Sequence, residues 1–189
     1  AGVGQPTLAT QRAGNYAQNN SDASRWCHEG GGSGRLDATQ SCAGLPNANE
    51  MSWYCMYGDP RWDADELWTT MGHLYKGGMW FKKKANISEF DPNTAVDGRD
   101  WRTNGGENSW PASNTLPSAA DANNYFYLPA LGYYVTEKLY NVGDGGYYWS
   151  SSADPRYSNY AYALFFDSIE FYVNFYTRND GFRVEPTFE

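Results

Sequence analysis

Histidine and cysteine are scarce in this chain of 189 residues, with His28 and His73 set against Cys27, Cys42 and Cys55. No CxxC pair occurs, so a zinc site has little to draw on and no cofactor is expected. The odd cysteine count leaves two readings open, a Cys27–Cys42 disulfide or three buried or free thiols. Basic residues are few as well: 14 against 22 acidic ones gives a net charge of −8. The only dense basic run, Lys82-Lys83-Lys84, reads as a solvated strand end. Binding to nucleic acid needs clustered Lys and Arg to displace counterions, so nucleic acid is not an expected partner. No apolar stretch approaches the roughly 20 residues of a membrane-spanning helix, and no membrane span is expected. The chain opens on Ala1 rather than a methionine, which reads as processing or trimming and leaves any signal peptide or anchor illegible.

Catalytic frames are also missing. Ser150-Ser151-Ser152 lacks the G-x-S-x-G setting of an activated serine. His73, between Gly72 and Leu74, reads as a packed histidine. Gly30-Gly31-Gly32-Ser33-Gly34 is followed by Arg35-Leu36-Asp37 rather than the Lys of a phosphate loop. Asp91-Pro92-Asn93 and Asp97-Gly98-Arg99-Asp100 read as turns, without the alternating oxygen ligands of a calcium loop. No enzyme activity is expected.

Aromatic residues are abundant, at 17% of the chain, and 16 of them are tyrosine. Tyrosine serves equally in a core and at an interface. A chain of this length buries roughly 70% of its unfolded surface and suits one domain. Residues 1–48 are polar and loop-rich. Met51–Tyr57, ended by Gly58-Asp59-Pro60, predicts a buried strand and turn. Asp63 predicts a helix cap, with Leu67, Trp68 and Met71 on one face of the helix that follows. Gly77-Gly78 predicts a break before a strand over Met79–Lys83. Residues 91–124 predict a long irregular region ordered by packing or used for function.

From Tyr125 onward the pattern is that of strands. Tyr125–Tyr134 and Tyr147–Ser152 are strand-like, with a turn at Gly143–Gly146. Three further segments alternate with period two. Tyr162, Leu164 and Phe166 oppose Ala161, Ala163, Phe165 and Asp167; Phe171, Val173 and Phe175 oppose Tyr172, Asn174 and Tyr176; Phe182 and Val184 oppose Arg183 and Glu185. The expected product is an antiparallel sheet with one face in the core and the other free for a partner. Ser150–Val184 contains no Lys, Gln, Met, Trp or His. Tyr, Ser and Arg together form the palette of antibody-like surfaces, where rigid rings supply area at low entropy cost.

Several segments resemble the variable proteins of diversity-generating retroelements, in particular surface proteins of gut Bacteroidetes and related phages. The resemblance lies in Gly72–Gly78, Met79–Lys84, Tyr127–Tyr133, Leu139–Gly143, Gly146–Ser152, Ala161-Tyr162 with Leu164 and Phe166, and Arg178 with Gly181–Val184. It implies an α+β chain of C-type-lectin-like fold, with twisted antiparallel sheets, few helices and long ordered loops over residues 1–189, and a variable region over 147–189. In such proteins adenine-directed mutagenesis rewrites AAY codons, which cannot yield Lys, Gln, Met, Trp or Glu. Glu170 falls outside that set and is either a fixed position or a slip in register. By the same resemblance Tyr147–Ser152, Ala161, Tyr162, Leu164, Phe166, Arg178, Gly181, Phe182 and Val184 form the scaffold.

The implied ligand-facing positions are Arg156, Tyr157, Tyr160, Ala163, Phe165, Asp167, Ile169, Tyr172, Asn174, Tyr176, Asn179 and Asp180, with Tyr157, Phe165, Tyr172 and Tyr176 as energetic anchors. The implied role is a ligand-binding or adhesin domain on a cell or virion surface, facing an unknown protein or surface receptor. The Glu-Pro-Asn and Trp-Asn-Asp motifs of calcium-dependent sugar-binding relatives are absent. Two other readings stand beside it. One is a structural subunit of a pilus, capsid or tail. The other is cysteine-oxidation chemistry of the kind some relatives perform, against which all three cysteines preceding residue 56 argue.

Overall fold

The computed structural model of the chain describes Ala38 and residues 42–135, 138–157, 160–178 and 180–184. The expectations for the rest of residues 1–41, Cys27 included, and for Asn179 lie outside the described residues.

The first element is a helix, α1 (Ala48–Tyr57), where a strand was expected. Its start is a capping box: the Asn47 side chain accepts from the Glu50 amide at 3.0 Å, and the Glu50 carboxylate accepts from the Asn47 amide at 2.8 Å. Ala48, Met51, Tyr54 and Cys55 then share one helical face and are buried. The next segment reverses the error, because the helix expected after Asp63 is a strand. β1 (Arg61–Thr70) and β2 (His73–Lys82) form a hairpin turned by Met71 and Gly72, with φ of 49° and 79°. Two successive positive φ values make the turn whose twist matches paired strands. Asp63 does cap, accepting from the Asp65 and Glu66 amides at 3.0 Å each, but within a bulge of β1.

His73 is exposed at the hairpin tip rather than packed. Gly77 and Gly78 lie inside β2 rather than before it, because a Cβ at Gly78 would fall 2.4 Å from the Tyr127 hydroxyl.

Residues 91–124 hold α2 (Trp101–Asn104), capped by Asp100, and β3 (Asn108–Pro111). Asp91 and Asp97 each accept from the amide two residues on, as the turn reading expects. The remaining strands are β4 (Tyr125–Pro129), β5 (Leu131–Val135), β6 (Lys138–Val142), β7 (Gly145–Ala153), β8 (Tyr160–Asp167) and β9 (Glu170–Thr177). They form a three-stranded sheet, β1-β2-β4, and a six-stranded sheet, β3-β9-β8-β7-β5-β6. The fold is strand-rich α+β with few helices. Among the described residues no helix is long and apolar enough to cross a membrane.

The main core lies between α1, the smaller sheet and one face of the larger one. It joins Met51, Tyr54, Phe81, Leu128, Tyr148, Leu164, Phe166 and Val173, all almost fully buried. Among the described residues, β5 and β7 pair in register, in parallel, only at Gly132 and Gly146 before their backbones diverge. Residues 181–183 fill the gap as a wedge. Gly181 exchanges backbone hydrogen bonds with Tyr134 of β5 at 3.0 and 2.9 Å. Arg183 donates to the Tyr147 carbonyl and accepts from the Trp149 amide of β7, both at 3.0 Å.

Candidate binding face

The register of β8 and β9 pairs Phe165 with Tyr172, Ala163 with Asn174 and Ala161 with Tyr176, while β7 sets Tyr147 beside Phe165 and Trp149 beside Ala163. Side chains alternate across a pleat, so these residues share the face turned away from the main core. Their rings form a ladder. Centroids are 4.5 Å apart from Tyr133 to Tyr147, 4.8 Å from Tyr147 to Phe165 and 4.5 Å from Phe165 to Tyr172. The Tyr176 hydroxyl donates to that of Tyr172 at 3.1 Å. Burial pushes the Tyr147 phenol up to about 12 and raises Tyr172 and Tyr176 in the same direction. All three therefore stay neutral at physiological pH; Tyr176 donates to Tyr172, which leaves Tyr147 and Tyr172 each able to donate one hydrogen bond and accept others.

This face is not free, as the alternation alone suggests. A second hydrophobic cluster covers much of it, made of Ala38, Cys42, Leu45, Trp149, Ala153, Ala161, Ala163 and Phe182. Phe182, carried by the wedge, lies 4.5 Å from Trp149, 4.9 Å from Tyr176 and 5.1 Å from Tyr147. Backbone bonds from Ala38 to Ser151 and from Ser151 to Pro46 hold the covering segment on β7. Ala163, at 0% exposure, and Phe165, at 7%, are therefore interior rather than ligand-facing. The reason is the double layer, since a sheet covered on both sides buries both halves of its alternation. Tyr147, Tyr172, Asn174 and Tyr176 remain half-buried at the rim of the cluster.

The other expected positions lie elsewhere. Asp167 accepts from the Ile169 and Glu170 amides at 2.7 and 2.9 Å, which shapes the β8–β9 turn and leaves Ile169 74% exposed. Asp180 accepts from the Thr177 hydroxyl at 2.8 Å. Arg156, Tyr157 and Tyr160 gather at the opposite end of β8, around Phe175 on the core-side face. Seven residue steps separate Tyr160 from Asp167, roughly 24 Å of strand. The expected positions thus divide into an aromatic rim, a loop crest and a hairpin turn, and do not make one patch.

Sequence reasoning left Tyr133 and Tyr140 out of the site and placed Tyr147 and Phe182 in the scaffold. All four rings belong to the same array, Tyr140 lying 5.7 Å from Tyr133 and 41% exposed. The available signal was the alternation of Tyr147 with Tyr148 in β7, beside β8, and of Tyr133 with Tyr134 in β5, the next strand out. Ser150 and Ser152 are buried: the Ser150 hydroxyl donates to the Ser152 carbonyl and accepts from the Ser152 amide, and the Ser152 hydroxyl accepts from the Ala48 amide. Among the described residues no three His, Cys, Asp or Glu side chains converge as a metal site would require.

No protein-family model, curated protein or solved structure matches the chain.

Proposed function

We propose that this domain is a ligand-binding or adhesin module of the retroelement-diversified kind, built on a C-type-lectin-like fold and displayed outside the cell toward a protein or surface receptor. The observation that carries the reading is the half-buried rim of Tyr147, Tyr172 and Tyr176, backed by the buried rings of Phe165 and Phe182. Rings held from behind lose little entropy when a partner lands on them, and their neutral hydroxyls offer directional bonds. Tyr157, 54% exposed at the loop crest, supplies a second anchor. Tyr157, Tyr172 and Tyr176 belong to the Ser150–Val184 stretch whose residue vocabulary fits adenine-directed diversification, and Tyr147 precedes it. The partner surface is expected to be apolar and to carry hydrogen-bond acceptors.

The test uses a phage-displayed random-peptide library panned on the immobilised domain. Enriched peptides should bind the wild-type protein, and Tyr172→Ala, Tyr176→Ala and Tyr157→Ala should each weaken the best peptide roughly tenfold or more. Peptides that bind all three variants as tightly as the wild type place the site elsewhere and end this reading.

One observation favours a second reading, a structural subunit of a pilus or tail. Leu67, Met71 and Leu74 project from the β1–β2 tip with more than 60% of their surface exposed. Sedimentation at millimolar protein distinguishes the two, since a subunit self-associates and a displayed binder stays monomeric.

A further inference from the structure

We propose that Arg156 is a positioning residue rather than a ligand contact: with Asp154 and Gly105 it forms a clamp that sets the β7–β8 connection and, through it, the exposed Tyr157 ring. That Tyr157 meets a ligand rests on the function proposed above; the clamp itself does not.

The clamp has three sides. The first is Asp154, whose side chain is 0% exposed. Its carboxylate accepts from the Arg156 amide at 2.7 Å, the Tyr157 amide at 3.1 Å, and Arg156 Nη2 and Nε at 2.8 and 3.3 Å. Arg156 is the only cation bonded to this carboxylate among the described residues, so withdrawing the guanidinium strands a buried charge. The second side is Phe175, whose ring lies 4.7 Å beneath the guanidinium. The third is Gly105, with φ of +70°, where a Cβ would come within 2.9 Å of Arg156 Nε and 3.0 Å of Cζ.

The glycine seat is itself tied to the sheet, because the Gly106 amide donates to the Tyr162 hydroxyl at 2.9 Å. Two backbone bonds tie the described residues on either side of 158 and 159: the Asp154 amide donates to the Tyr160 carbonyl at 3.0 Å, and the Tyr160 amide to the Tyr157 carbonyl at 3.1 Å. A side chain held by a buried carboxylate, an aromatic face and a missing Cβ is committed to the fold. Its neighbour Tyr157 takes its direction from those bonds.

Trypsin reads the clamp directly, because it cleaves after Arg156 and needs that side chain released. Cleavage there divides 189 residues into fragments of 156 and 189 − 156 = 33 residues, distinct by mass. Under conditions where every protein is folded, Asp154→Asn, Gly105→Ala and Arg156→Lys should each raise the initial rate at this bond by about tenfold or more, as expected for loss of a charged hydrogen-bond set. Arg156→Lys keeps the cleavage site and the charge while losing the two-point grip, so it remains informative if either other variant folds poorly. Rates within about twofold of wild type for the folded variants overturn the clamp.

The panned peptide supplies a readout that mere stability would not move. Gly105→Ala should weaken its binding, yet add nothing once Tyr157 is already Ala, since both changes remove the same contact. Additive losses overturn the link from clamp to Tyr157. If panning yields no peptide, the binding reading fails, while the trypsin rates still decide the clamp.

Discussion

Phe182→Ala probes the junction of fold and candidate site in a single substitution. The Phe182 ring is 6% exposed and has Trp149, Tyr176, Tyr147 and Tyr133 as neighbours at 4.5, 4.9, 5.1 and 6.0 Å. Truncation leaves the wedge's four backbone bonds to β5 and β7 intact, so the loss is that of a buried ring and the cavity behind it. Phe→Ala changes in well-packed interiors cost about 3–5 kcal/mol. Rings trapped between two layers collapse poorly, which favours the upper half of that range. For a domain of this size the loss corresponds to a fall in Tm of roughly 6–20 °C. Urea unfolding followed by tryptophan fluorescence measures it, with Trp149 as a local reporter, and the slope of the transition should be unchanged. A loss below about 1 kcal/mol, the range of an ordinary surface substitution, would refute the claim that Phe182 plugs the outer face.

Four other outcomes follow from particular residues. Ala163→Tyr, harmless at a position that points to solvent, should destabilise by about 1–3 kcal/mol because the site is closed, whereas Ile169→Ser should stay within about 0.5 kcal/mol in the same unfolding assay. Met71→Asn should stabilise by about 0.5–1 kcal/mol, since Asn tolerates the φ of 49° that strains a Met there; thermal unfolding checks it. Asp100 is held down to about 2, first by its bond from Arg102, with the Asn49 amide adding to it. A carboxyl depressed in the folded state stabilises above its unfolded value near 4 and loses that contribution as pH falls toward 2. Tm measured across that window should fall less steeply for Asp100→Asn than for the wild type.

β7, β8 and β9 were legible because alternation with Tyr, Phe and Val at core positions has one structural solution. The single strand expected over Tyr125–Tyr134 instead divides at Ala130 into β4 and β5 of different sheets, and the alternation at Phe182 and Val184 yields only isolated bridges at Gly181 and Arg183. Two earlier segments misled for identifiable reasons. Met51–Tyr57 is so dense in aromatics that a helical stripe looks like a continuous run; the decisive sign was Asn47 with Glu50, a capping box three residues apart. Asp63 carries real capping chemistry, and its acids and apolar spacing imitate a helix start. The Met71-Gly72 turn and the cross-strand pairing of Trp68 with Tyr75 outweighed that local preference.

At the candidate site, alternation correctly sorted side chains between the two faces of β8 and β9 but could not reveal a cover. Ala161 and Ala163 gave a faint hint, since small residues in a strand make room for something large above them, here Trp149 and Phe182. Arg156 stood among the ligand-facing positions only because the resemblance implied it. Its role depends on Asp154 at close range and on Gly105 about fifty residues away, a juxtaposition no local pattern encodes.

Tyrosine footprinting by mass spectrometry, with and without the best panned peptide, tests the central claim most directly. Tyr157, Tyr172 and Tyr176 are predicted to react in the free domain and to be protected by the peptide, while buried Tyr148 and Tyr162 stay silent in both states. Protection confined to other tyrosines, or none at all on saturation, would contradict the account.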